Sequence, residues 1–574
     1  MLPGGRSPPV EGPGTPPERA IVEREHELAR IGELVGEVRL GRGRALLILG
    51  PAGIGKSALC ACARSIAERA GLRVLSARGE ELERELSFGL ARQLLPGAGL
   101  EGVGLERVGT GLTDAGLERE QAGLEPVGEG LERVGAGFER VGEGEDRSMR
   151  SILALHQATL AACARGPLLL IADDCHWADA ASLRWLLYLA ARLRELPVGL
   201  LVSWREGEEG AIARWPFRLE RQGGCEVLVP APLSGAGTAA VLASLLGGAP
   251  PDALVHACRV ASGGNPLLLG ELARALRADG ALPQAEEAVR RVRELGPRTV
   301  AHSLALRLGR LGAPAVELVR AAAVLGDGAG ARECGALSGL PLERVLLLCD
   351  ALSDAGILCP GPPLRFVHPI VRQAIYLDLP EGARRLAHRR AADVLARAGA
   401  EPERLCAHLL RSEPEGSSAV VGMLRAGARQ ALARGAPESA AAYLSRALSE
   451  GVPRRLRVAL LQELGRVERL ARDPRAAAHL REAMAEQRDP LARAALAGEL
   501  AELLGLAGAW DEAHAVLAEA LAQLRGEHAG AALELRARLE AYHVGLLAYD
   551  PDRARELGPR LAELVALSRG PRTS

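Results

Sequence analysis

Gly50-Pro51-Ala52-Gly53-Ile54-Gly55-Lys56-Ser57 satisfies the pattern G-x-x-x-x-G-K-[ST], with the apolar run Ala45 to Leu49 before it and helical sequence after it. Glycines at this spacing let successive backbone amides turn inward around a phosphate, and a helix beginning at Lys56 aims the positive end of its dipole at the same point. In that chemistry Lys56 reaches the β- and γ-phosphates and the Ser57 hydroxyl holds Mg²⁺, so ATP or ADP with Mg²⁺ are the expected ligands. A second candidate is PLLLIADDCHWAD, an apolar strand ending in Asp173 and Asp174. A carboxylate at the C-terminal end of a strand beside the loop gives the metal a second protein anchor, usually through water, and Asp173 is assigned to it. Asp174 fits two roles, polarising the attacking water or helping to hold the metal; capping of the next helix is a third reading of the acidic pair. His176 and Trp177 fit packing as well as function. Arg205 ends the run VGLLVSW, where a guanidinium either reaches the γ-phosphate and reports hydrolysis or is simply solvated. Ser262-Gly263-Gly264-Asn265-Pro266 reads on spacing as a turn before LLLGELARAL.

The elements that must hold these residues follow from periodicity. The order strand, Gly-rich loop, helix SALCACARSIAERAG and strand RVLSA opens a parallel α/β sheet, and PLLLIA, VGLLVSW and EVLVP add strands to make about five. Residues 1–19, rich in Pro and Gly, read as a disordered leader and 20–235 as the P-loop core. Within the core, 97–147 repeats a unit of the form GLERVGA, with glycines 116, 123, 130, 137 and 144. A glycine in every unit costs a helix about 1 kcal/mol each, so the segment is expected to be a flexible low-complexity insertion. A helical lid is expected over 236–295. The region 296–380 reads as helices with one hairpin, ILCPGPPLRFVHP, and 381–574 as helical repeats. In the repeats Leu444, Leu480 and Leu517 hold equivalent places, each followed by a small residue, Ala447, Ala483 and Ala520, in the manner of tetratricopeptide-like arrays.

At 574 residues the chain is too long for one core, and 71 basic against 72 acidic side chains leave no global field to draw it onto a polyanion. Aromatic residues make up 2%, against an excess of helix formers, which argues against a β-sandwich. The cysteines are scattered without a C-x-x-C pair, as in a reduced cytoplasmic protein, and the apolar runs are too short to cross a membrane.

Taken in order, VEREHEL at 22–28, GPAGIGKS, LLLIADDCHWADAASLRWLLYLA, the SWRE strand end, SGGNPLLLGEL, FVHPIVRQAIY and RRLAHRRAADVLA resemble the large ATP-binding regulators of the LuxR family. These are maltose-regulator-like members of the signal-transducing (STAND) branch of AAA-like P-loop ATPases. The resemblance covers about residues 20 to 560. It implies an α/β P-loop core, a winged-helix-like domain at 296–380 and an all-α TPR-like solenoid. It implies Arg205 as a sensor, Pro266 as the nucleotide-proximal proline, and His368 near the nucleotide in the closed state. It also implies a small-molecule inducer or protein partner at the repeats and nucleotide-dependent self-association. The family's opening motif usually has Gly where this chain has Glu23, and the insertion replaces ordinary helical sequence. The family's C-terminal helix-turn-helix has no counterpart after residue 530, so DNA binding is not expected through this chain.

The leading expectation is thus an ATP- and Mg²⁺-binding switch that hydrolyses slowly, with repeats as sensor. Three rivals stand beside it: a transcription regulator that binds DNA through the winged-helix-like region, a P-loop enzyme that passes phosphate to an acceptor, and a truncated regulator that has lost its DNA-binding module.

Overall fold

Five strands build one parallel sheet: β1 (Arg44–Gly50), β2 (Arg73–Arg78), β3 (Leu168–Asp173), β4 (Val198–Arg205) and β5 (Cys225–Leu228), in the order β2-β3-β4-β1-β5. The computed structural model describes residues 21–96, 130–206, 214–222, 225–278, 288–290, 292, 307–525 and 530–568. The expected leader and residues 97–129 of the insertion lie outside the described residues. The central strands are near-continuous apolar runs because both faces are covered. Leu46 and Ile48 pack on one side under α1 (Glu25–Arg39) and α2 (Lys56–Arg69). Leu47 turns to the other side, under α3 (Gly89–Leu94), α4 (Gly130–Cys163), α5 (Ala180–Ala190) and α6 (Trp215–Arg221), as the two-residue period of a strand requires.

The strand order has a direct consequence for the site. β4 lies between β1 and β3, so its C-terminal end separates the Gly-rich loop from the acidic pair. Gly50 pairs with Arg205 in register, and Arg78 pairs with Asp173.

One expectation is corrected. α4 starts at Gly130, so residues 130–147 of the anticipated flexible insertion are helical. The apolar positions Leu131, Val134, Phe138 and Val141 recur at helical spacing and run without a break into RSMRSILALHQATLAAC. Propagating an existing helix is far easier than nucleating one, and this offsets the glycine penalty.

Past the sheet, α7 (Gly235–Leu246), α8 (Asp252–Ser262) and α9 (Pro266–Ala278) pack together around Leu242, Cys258 and Leu269, in the region expected as a lid. Next come α10 (Ala313–Leu325), α11 (Ala331–Ser338) and α12 (Leu342–Asp354). After them a small hairpin sets Leu358 opposite Phe366 and Leu364 opposite Ala329, and α13 (Pro369–Asp378) follows. Three helices and a hairpin are the winged-helix-like arrangement.

The remainder is antiparallel helix pairs: α14 (Glu381–Arg397), α15 (Pro402–Leu409), α16 (Ser418–Ala433), α17 (Pro437–Leu448), α18 (Arg454–Leu470), α19 (Ala476–Glu486), α20 (Pro490–Leu506), α21 (Trp510–Gln523), α22 (Gly530–Tyr549) and α23 (Ala554–Ser568). Leu444, Leu480 and Leu517 are all buried, on α17, α19 and α21, and so are Ala447, Ala483 and Ala520. The small residues allow close approach: a Cβ at Gly465 of α18 would sit 2.7 Å from Leu480 of α19. Among the described residues no helix is long and apolar enough to cross a membrane, and no cysteine is in a disulfide.

Candidate functional site

The loop after β1 turns through two left-handed glycines, Gly53 at φ 82° and Gly55 at φ 110°, and Gly55 is the N-cap of α2. No other residue takes these values without strain, so the amides that follow are free to converge at the helix start. Lys56 is buried, and its Nζ donates to the Gly50 and Pro51 carbonyls at 2.8 and 2.9 Å. Burial pulls its ammonium below the ordinary lysine range, against the opposing pull of Asp174 and Asp173.

Two distant residues brace the loop, and neither is apparent from motif spacing. The Arg24 Nη2 donates to the Ile54 carbonyl (3.1 Å), and Asn265 Nδ2 donates to that of Ala52 (2.8 Å). Asn265 Oδ1 also accepts from Leu267 N at 3.0 Å, so one side chain caps α9 and grips the loop. The segment 262–266, expected as a turn, is a turn packed on the loop: a Cβ at Gly53 would lie 2.8 Å from Asn265 Oδ1. Glu23 takes φ 55°, a left-handed conformation that glycine adopts more freely than glutamate. Its carboxylate accepts from Ser234 N (2.8 Å) and Ser234 Oγ, and these bonds hold it below the usual carboxylate range.

At the end of β3, Ser203 of β4 sets the acidic pair. Its Oγ donates to Asp173 Oδ1 (2.5 Å) and accepts from Asp174 N (2.8 Å). Asp174 has φ 49°, and its carboxylate accepts from Arg78 Nε and Nη2 at 3.1 and 2.9 Å. In this form its charge is thus taken up by Arg78. His176 is buried between Trp177 and Trp204, and burial with Lys56 nearby lowers it to about 3, so it is a neutral imidazole.

A cavity of about 660 Å³ joins these parts. Gly53, Gly55, Lys56, Ser57, Asp174 and Arg205 line it from the core, Pro266 from α9 and His368 from the winged-helix-like domain. Ala52 lines it as well, whereas Gly50, Pro51, Ile54 and Asp173 are not among its lining residues. Burial and Arg78 lower His368 to about 4. Its lining carries five cations, Lys56, Arg78, Arg205, Arg274 and Arg372, against Asp174 and Glu81, together with the apolar Val22, Val241 and Leu245. An excess of cations together with apolar side chains suits a ligand that is polyanionic in one part and apolar in another. Among the described residues no three His, Cys, Asp or Glu gather into a metal cluster. Ser57 and Asp173 are the donors beside the loop, a set that suits a magnesium ion holding mostly water and phosphate oxygens.

Residues 20–203 match the AAA ATPase domain family. No match is found among curated proteins. Of solved structures, the chain is similar to a signal transduction ATPase with numerous domains (STAND) protein with a tetratricopeptide repeat sensor from Pyrococcus horikoshii. The two share 14% identity over 98% of this chain and 79% of that chain, with a TM-score of 0.40. It is also similar to the Orc1 protein of Aeropyrum pernix, solved in complex with DNA (17% identity, 62% of this chain and 93% of that chain, TM-score 0.30). A Walker-type ATPase of Pyrococcus abyssi shares 15% identity over 62% of this chain and 97% of that chain, with a TM-score of 0.31.

Proposed function

We propose that this chain, with its AAA-type ATPase domain, is an ATP- and magnesium-binding switch of the STAND kind, related to LuxR-family regulators, whose helical repeats sense an inducer or protein partner. The observation that carries the reading is the single cavity shared by Lys56 and Ser57, Pro266 and His368, which belong to three successive units of the chain. A ligand there touches all three, and differential contact is what lets a ligand bias one arrangement over another.

In this reading the amides of residues 50 to 57 and Lys56 hold the phosphates, with Pro266 beside the base and His368 on the facing domain. Ser57 and Asp173 hold the metal, which neutralises phosphate charge when bound. Lys56 would exchange its carbonyl partners for phosphate oxygens. Arg205 reads the terminal phosphate from the strand end beside Gly50. Asp174 either orients water or supports the metal, and both roles require release from Arg78, which supports slow turnover. Lys56→Ala is expected to abolish ATP and ADP binding in calorimetry; undiminished binding by that variant would overturn the site assignment.

The DNA-binding rival gains no support from α12. Its exposed face carries Leu342, Leu346 and Leu347 with Glu343, Asp350 and Asp354 against one arginine, Arg344, whereas phosphate contacts require a basic face. A gel shift with upstream DNA at low salt is expected to show no complex.

A further inference from the structure

The nucleotide cavity is connected to the repeats by a chain of hydrogen bonds that none of the roles above uses. Tyr376, on α13, lines the cavity. Its hydroxyl lies 2.8 Å from Nε2 of His388 on α14, and Nδ1 of His388 lies 2.9 Å from Nδ1 of His408 on α15. Both imidazoles are buried. Burial lowers His388 to about 2 and His408 to about 3, so each carries a single ring proton.

A neutral imidazole donates from one nitrogen and accepts at the other. Two facing Nδ1 atoms cannot both be donors or both acceptors, so the chain has two self-consistent polarities. In the first, Tyr376 donates to His388 Nε2, His388 donates from Nδ1, and His408 keeps its proton on Nε2. In the second, His388 Nε2 donates to Tyr376, His408 Nδ1 donates to His388 Nδ1, and His408 Nε2 is bare. A phosphate oxygen only accepts. When Tyr376 gives its one proton to such an oxygen, His388 must donate to Tyr376 and the second polarity follows.

We propose that Tyr376, His388 and His408 form a positioning relay that reports the occupancy of the nucleotide cavity to α15 by reversing its hydrogen-bond direction. This rests on the nucleotide-switch reading above. The far end is well placed to matter, because α15 and the turn after it hold the ATPase core directly. Glu403 Oε2 accepts from Ser87 N (2.8 Å), and Arg411 Nη2 donates to the Glu81 carbonyl (2.7 Å). That stretch follows Arg78, the partner of Asp174, by only a few residues. The relay thus returns to the segment that controls the acidic pair.

The test is ring-nitrogen NMR on the full-length chain labelled with ¹⁵N-histidine, without nucleotide and with MgATP. Resonances of His388 and His408 are assigned by His388→Gln and His408→Gln. The expected result is that MgATP brings both histidines to the second polarity, with the His408 proton on Nδ1. In Tyr376→Phe, which keeps the ring and removes the hydroxyl, the two histidines are expected to stop responding to MgATP. His388→Gln is expected to hold MgATP within about threefold of wild type while losing the response at His408. MgATP binding with unchanged tautomers in the wild-type chain, or a response that survives Tyr376→Phe, overturns the relay alone. Failure of the wild-type chain to bind MgATP overturns the switch reading and the relay with it.

Discussion

Ser203 is fully buried and has two bonds at the heart of the site, one to the Asp173 carboxylate and one from the Asp174 amide. A hydrogen bond to a charged group is worth about 1.5–3 kcal/mol, so its loss should loosen Asp173, the carboxylate proposed to hold the metal, without touching the loop. Ser203→Ala is therefore expected to raise the Mg²⁺ concentration needed for tight ATP binding by roughly tenfold. Nucleotide affinity without metal should stay unchanged, as a Mg²⁺ titration of fluorescent ATP would show. A wild-type titration curve would remove Ser203 from this role. The contrast with Lys56 shows what kind of residue a sequence discloses. The glycines, Lys56 and Ser57 act through one contiguous turn, so their spacing carries their geometry. Ser203, Arg78, Arg24 and Asn265 act through partners up to 213 positions away, and their local sequence says nothing of those partners.

Between elements, Asn265 ties the loop to α9. Loss of a helix cap costs about 1 kcal/mol and loss of the bond to Ala52 a similar amount, so Asn265→Ala is expected to release bound ADP roughly ten times faster in stopped-flow. Asn265→Ser, which can still cap α9 but is too short to reach the Ala52 carbonyl, should fall between the alanine variant and wild type. Equal rates for all three would show that α9 does not brace the loop. Strands β1, β3 and β4 were legible because burial on both faces leaves an unbroken apolar run. Their spatial order was not, since nothing local in VGLLVSW states that it inserts between the other two, and that insertion is what sets Arg205 beside Gly50. The start of α4 was misread for a related reason: a per-residue glycine cost ignores the helix already formed downstream.

At the scale of the molecule, buried titratable groups collect where the core, the winged-helix-like domain and the first repeats meet. Burial lowers His176 to about 3, His368 to about 4, His388 to about 2 and His408 to about 3, and in the later repeats His543 to about 4. Burial raises Glu80 and Glu83 to about 7 and Asp179 to about 6. The two sets act with opposite sign. The histidines stabilise the fold fully above their ordinary value of 6.5 and lose that contribution as pH falls, because the unfolded chain takes up protons first. The carboxyls stabilise the fold below their ordinary values of 4.5 and 3.8 and lose that contribution as pH rises through about 6 to 7. Among these eight groups, unfolding between pH 6.5 and 4.5 therefore takes up protons on five histidines and releases them from three carboxyls, a net uptake of two. Each uncompensated proton costs about 1.4 kcal/mol per pH unit. Below the ordinary carboxylate values the compensation ends, since both states then hold the acid protons, and all five histidines draw the chain toward unfolding until the folded imidazoles titrate. Melting temperature from pH 8 to 3 is expected to be flat above 7, to decline gently from 6.5 to 4.5 and to drop steeply below. A melting temperature that rises from pH 6.5 to 4.5 would mean that the buried carboxyls outweigh the histidines. Because most of both sets lie at the junction, hydrogen exchange in the declining range should show residues 79–95 and 402–411 losing protection before the sheet does.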